Sequence, residues 1–153
     1  MGRRTKRNSI EGGVMAERSL DIGPMDVPIG FTDSIDIDDL PDMRRESELD
    51  QGLSYGDFIQ GKAEDLPYPN STFDKVNAGQ VIGPYADLEE SIREVYRVLK
   101  PGGVFTIRTL GMHFPDVSRL SRELGFTITK NEKQGYEEEY SEDWIDMRLI
   151  KRR

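Results

Sequence analysis

The chain has 153 residues, of which 35% are hydrophobic and 33% charged, with a net charge of −8, no cysteine and one histidine. One domain is the natural expectation at this length, and without cysteine there are no disulfides, thiolate metal sites or cysteine nucleophiles. A single histidine excludes a histidine-built metal centre, and the acidic balance argues against broad nucleic-acid binding by the folded body.

No apolar run approaches the ~20 residues of a membrane span and no signal-peptide pattern opens the chain, so a cytoplasmic protein with no membrane partner is expected. Residues 1–17 carry Arg3, Arg4, Lys6 and Arg7 without apolar periodicity and read as a flexible basic tail. Residues 18–153 are then the domain. Arg18–Gly23 is a short apolar run closed by Gly-Pro and reads as the first strand. Asp33–Asp38 alternates isoleucine with acid and reads as the second. Between residues 39 and 55 the apolar positions are sparse, which supports only a short or irregular helix. Asp57–Gly61 and Phe73–Gly79 follow as strands three and four.

The clearest helix spans Ala86–Lys100. Leu88, Ile92, Val95, Tyr96 and Leu99 form one apolar stripe, Asp87 is placed as N-cap, and Arg97 and Lys100 complement the helix dipole. Pro101-Gly102-Gly103 is expected to end it. Val104–Thr109 is a fifth strand and Pro115–Leu124 a short helix stopped by Gly125. Phe126–Thr129 and Trp144–Ile150 are two final strands around an acidic loop at 136–143.

This order of elements, with the series Gly61-Lys-Ala-Glu-Asp-Leu-Pro-Tyr-Pro69, Phe73-Asp74, Asn77-Ala-Gly-Gln-Val-Ile82 and Arg93-Glu-Val-Tyr-Arg-Val-Leu-Lys-Pro-Gly-Gly103, resembles class I S-adenosylmethionine-dependent methyltransferases. The resemblance implies an α/β, Rossmann-like open sheet of about seven strands in the order 3-2-1-4-5-7-6, with strand 7 antiparallel and reduced helices on one face. It implies S-adenosylmethionine as cofactor. Asp36 and Ile37 would meet the ribose and adenine, Glu64, Asp65 and Leu66 the adenine edge and face, and Asp21, Gly23 and Asn77 the remaining cofactor contacts. Carboxylates suit ribose hydroxyls and an exocyclic amine because both donate protons.

Two features depart from that pattern. The first loop reads Asp21-Ile-Gly23-Pro-Met25-Asp-Val27, so one glycine remains where the family places three. No helical segment precedes the first strand, which leaves a sheet face that a second copy or a partner could cover. Methyl transfer from a sulfonium is an in-line displacement, with a base needed only where the nucleophile carries a proton. Gln80, Tyr85 and His113 follow strands four and five and are the candidates on the acceptor side. His113, flanked by Met112 and Phe114, reads as readily as a packing residue. Two functions therefore fit the sequence: a methyltransferase with an unidentified acceptor, or a catalytically inactive methyltransferase-like binding or regulatory partner.

Overall fold

Strand alternation divides the chain between two faces of one sheet in the computed structural model, which describes residues 10–11, 14–15, 17–23, 31–37, 57–79, 82–83, 86–134 and 144–153. The strands are β3 (Ser19–Ile22), β4 (Asp33–Asp36), β5 (Asp57–Gln60), β6 (Phe73–Ala78), β7 (Leu99–Leu110), β8 (Phe126–Gln134) and β9 (Trp144–Lys151). Their order is β5-β4-β3-β6-β7-β9-β8, with β9 antiparallel to both neighbours and the first five parallel. This is the expected sheet. A separate pair, β1 (Ile10–Glu11) with β2 (Val14–Met15), falls within the stretch read as a tail.

Leu20, Ile22, Ile35, Val76, Ala78, Phe105, Ile107, Met147 and Leu149 share one face and are buried in a single cluster with the two helices. Helix α1 (Leu88–Val98) contributes Ile92, Val95 and Val98, and helix α2 (Phe114–Leu124) contributes Val117. The opposite face carries Ser34, Asp21, Asn77, Thr106 and the Arg108–Asp146 ion pair, with Phe58, Val104, Ile150 and Trp144 at its flanks. No helix among them is long and apolar enough to cross a membrane.

Asp87 caps α1, accepting from the Glu90 amide at 2.9 Å. The helix stops at Val98, earlier than the expected Lys100, because Leu99 is already extended and paired opposite Phe73. Lys100 precedes a proline, which disfavours helical backbone there. Pro101-Gly102-Gly103 is therefore a bulge inside β7: Phe73 faces Leu99, yet Lys75 faces Val104. A Cβ on Gly103 would lie 2.8 Å from the Lys100 carbonyl oxygen, so glycine is required there. Gly125 ends α2 as expected, at φ 119°. β8 runs five residues past the expected Thr129 because Lys130–Gln134, polar throughout, ladders with β9.

At the amino ends of the strands a buried ion pair joins β3 to β4. Arg18 donates through Nε and Nη2 to both oxygens of the fully buried Asp33, at 3.1 and 3.2 Å. The Thr32 hydroxyl adds a donor at 2.7 Å, and the guanidinium stands 5.0 Å from the Phe73 ring centroid. The expected helix at 39–55, the acidic loop at 136–143, Met25, Gln80 and Tyr85 lie outside the described residues.

Candidate functional site

The carboxyl ends of β3, β4 and β5 bring together most of the residues singled out from the sequence. Asp21, near the end of β3, is 7% exposed. It accepts from Asn77 Nδ2 of β6 at 2.9 Å, and Asn77 Oδ1 accepts from the Thr106 hydroxyl of β7 at 2.7 Å. Burial pushes the Asp21 carboxyl up to about 6, opposed by the Asn77 hydrogen bond. Asn77, expected among the cofactor contacts, thus has its amide spent between Asp21 and Thr106. Gly23 follows at φ 65°, a conformation that glycine adopts without strain, and its amide donates to the Ile35 carbonyl at 2.8 Å.

Asp36 ends β4, and its carbonyl accepts from the Gly61 amide at 2.8 Å, which ties the exits of β4 and β5 together. Ile37 is 58% exposed, an apolar side chain open at the sheet end. A Cβ on Gly61 would sit 2.9 Å from Ile35 Cδ1, so the chain passes close over the core here and a larger residue would push that methyl aside. Lys62–Asp65 is a turn closed by the Asp65 amide donating to the Lys62 carbonyl at 3.2 Å, with Glu64 half-buried and Asp65 exposed. Leu66 differs from expectation. It is 2% exposed and joins the core, so Ile37 alone of the two apolar candidates is open to a ring.

Helix α1 holds that acidic turn through two residues the sequence reading missed. Glu94 Oε2 accepts from the Leu66 amide at 2.8 Å. Arg97 donates to the Leu66 carbonyl at 2.9 Å, the Tyr68 carbonyl at 2.7 Å and Asn70 Oδ1 at 3.0 Å, while pairing bidentately with Glu94 at 2.8 Å. Arg97 holds the Glu94 carboxyl below its ordinary value, and Glu94 raises the guanidinium in turn. Arg97→Ala is expected to cost about 2 kcal/mol in urea unfolding, since it strips the Tyr68 carbonyl of its side-chain donor, leaves the Leu66 carbonyl with the Tyr68 amide alone, and removes the cation paired with Glu94. Arg97→Lys should recover little of that loss, because an ammonium lacks the planar fork.

At the ends of β6 and β7, the His113 ring lies against Gly83. A Cβ there would be 2.8 Å from His113 Cδ2, and Gly83 has φ 104°. His113 is thus placed beside Gly83. Met112 next to it is exposed. Among the described residues no group of three or more histidine, cysteine or acidic side chains could hold a metal ion.

A nucleoside cofactor fits these residues: a positive-φ glycine, a second glycine whose Cβ would clash, a buried carboxylate, and an acid followed by an open isoleucine. The family model of the methyltransferase domain matches residues 28–107. The chain is 41% identical over 68 residues to 2-methyl-6-phytyl-1,4-hydroquinone methyltransferase 1, chloroplastic, of Oryza sativa subsp. japonica, covering 44% of this chain and 21% of that protein. It is 49% identical over 54 residues to demethylmenaquinone methyltransferase of Symbiobacterium thermophilum, covering 33% of this chain and 22% of that protein. The matches therefore span less than a quarter of these two relatives. A SAM-dependent methyltransferase structure from Methanosarcina mazei superposes with a TM-score of 0.70 at 19% identity, covering 89% of this chain and 92% of the other. With the family match extending over more than half of its residues and the sheet in the corresponding order, the chain belongs to the class I S-adenosylmethionine-dependent methyltransferases.

Proposed function

We propose that this chain binds S-adenosylmethionine across the carboxyl ends of β3, β4 and β5 and transfers a methyl group to an acceptor at the β6–β7 end. The observation that carries this reading is Asp36 followed by the exposed Ile37, at a strand exit tied to Gly61, which leads into the turn with Glu64 and Asp65. The carboxylate of Asp36 takes the protons of a ribose diol, Ile37 covers one face of adenine, and Glu64 or Asp65 accepts from its amino group. Asp21 supplies negative charge for the cationic end of the ligand. The cofactor, when bound, supplies an electrophilic methyl on a sulfonium. To His113, beside Gly83, we assign the taking of a proton from an acceptor hydroxyl.

The names of the relatives support one acceptor class. Both are named for methyl transfer to a quinone-type ring, so a hydroquinone is the acceptor we assign. Removing a phenolic proton raises the electron density of such a ring, which gives a base beside the acceptor a task.

Calorimetry with S-adenosylmethionine and its demethylated product tests the cofactor reading. Asp36→Ala is expected to weaken binding about tenfold to a hundredfold, the loss of hydrogen bonds to a charged acceptor. Wild-type protein that binds neither compound at millimolar concentration would overturn it and leave a methyltransferase-like binding partner as the function. Transfer of labelled methyl to a prenylated hydroquinone tests the acceptor.

A further inference from the structure

The register of the sheet sets Asp21 beside Asn77, and Asn77 beside Thr106, in one row on the face away from the helices. The direction of hydrogen bonding along that row is dictated by chemistry. An ionised carboxylate only accepts, so Asn77 must turn its NH2 towards Asp21. Its carbonyl then faces Thr106, whose hydroxyl must donate. The distances, 2.9 Å and 2.7 Å, agree with both bonds. With the Thr106 hydroxyl removed, Asn77 Oδ1 loses its donor and only the carboxylate holds the amide, so the side chain is no longer fixed from both sides.

Asp21 is more than nine-tenths buried, and its Oδ2 makes no hydrogen bond among the described residues. On the same face, β4 contributes Ser34 and Asp36, β6 contributes Lys75 and Asn77, and β7 contributes Thr106 and Arg108. Arg108 is paired with Asp146 at 2.7 Å and Lys75 stands over the Phe31 ring, so neither cation neutralises Asp21. Among the described residues, α1 and α2 lie on the opposite face and bring no charge to this one.

We propose that Thr106 is a positioning residue which, through Asn77, fixes the Asp21 carboxylate with one oxygen bound and the other presented to a cationic group of the ligand. The proposal rests on the cofactor reading above and adds a residue and a proton linkage to it. A buried carboxyl raised to about 6 is protonated below that pH and must lose its proton before it can serve as an anion, so ligand binding releases a proton there and not at neutral pH.

Two variants of the full chain, Thr106→Val and Thr106→Ser, test this. In the ligand-free protein, the Asp21 side-chain carboxyl is followed by NMR across the acidic range. The valine variant is expected to titrate about one unit higher, because the donor facing the carboxylate is no longer fixed, and the serine variant as wild type. In calorimetry with S-adenosylmethionine, wild-type affinity should rise about tenfold per pH unit until Asp21 is ionised and then level off. The valine variant should level off at higher pH, with serine restoring the wild-type profile. An unchanged Asp21 titration in a folded Thr106→Val protein overturns the proposal. A wild type that binds no S-adenosylmethionine overturns the cofactor reading, while the ligand-free titration still decides the role of Thr106.

Discussion

Asp21→Asn is expected to stabilise the ligand-free protein above about pH 7 by on the order of 3 kcal/mol, the free-energy equivalent of moving a carboxyl from 3.8 to about 6. The folded value is raised above the unfolded one. The contribution of Asp21 is therefore fully present below about pH 4, is lost as pH rises through about 6, and leaves a buried anion at neutral pH. The asparagine variant has no proton to lose and escapes this decline. Urea unfolding at about pH 4 and about pH 8 should show the two proteins nearly equal at the lower pH and separated at the higher. A gap independent of pH would contradict the assignment. The same variant should bind S-adenosylmethionine more weakly at neutral pH, which makes Asp21 a residue whose stability cost is tied to ligand recognition.

Asp33→Ala should be more damaging still, destabilising the fold by about 3–5 kcal/mol, because it leaves the Arg18 guanidinium buried without its partner. For a chain of this length that corresponds to a fall in melting temperature of about 10 °C or more. Replacing both residues, Arg18→Met with Asp33→Leu, removes the charge along with its partner and should return stability to within about 1–2 kcal/mol of wild type. The comparison of the single and double variants is the measurement. A single variant that melts with the wild type would show that water reaches the pair.

These two acids show where the sequence was readable and where it was not. Asp33 and Asp36 stand three residues apart in one strand and look alike as letters. Alternation puts them on opposite faces, and the strand's direction puts Asp33 at the end far from the ligand crevice. The strands and their order were legible because apolar alternation and the Gly61–Gly103 series report burial and chain path directly. Thr106 was not, because its role depends on the register between β6 and β7, and the bulge at Pro101–Gly103 sets that register. Glu94 and Arg97 were equally hidden: their i, i+3 spacing reads as ordinary helix-surface charge until the 66–70 segment is brought beneath them. Leu66 was misplaced for the complementary reason. An apolar residue beside two acids suits a ring contact or a core position equally, and only the packing against the cluster decides.

The position of β9 has a consequence for how the chain folds. It follows β8 in sequence yet lies between β7 and β8, pairing with β7 from Val104 to Leu110 and with β8 from Phe126 to Gln134. During synthesis, β7 and β8 emerge before the strand that joins them, so each waits with an unsatisfied edge. Closing that gap needs pairings between distant parts of the chain, which slows folding and leaves the β7 edge open to strands of other molecules in the interval. The vulnerable species for aggregation is thus a nascent or transiently opened chain with β9 undocked, and the last pairing to form is the one that seals the sheet.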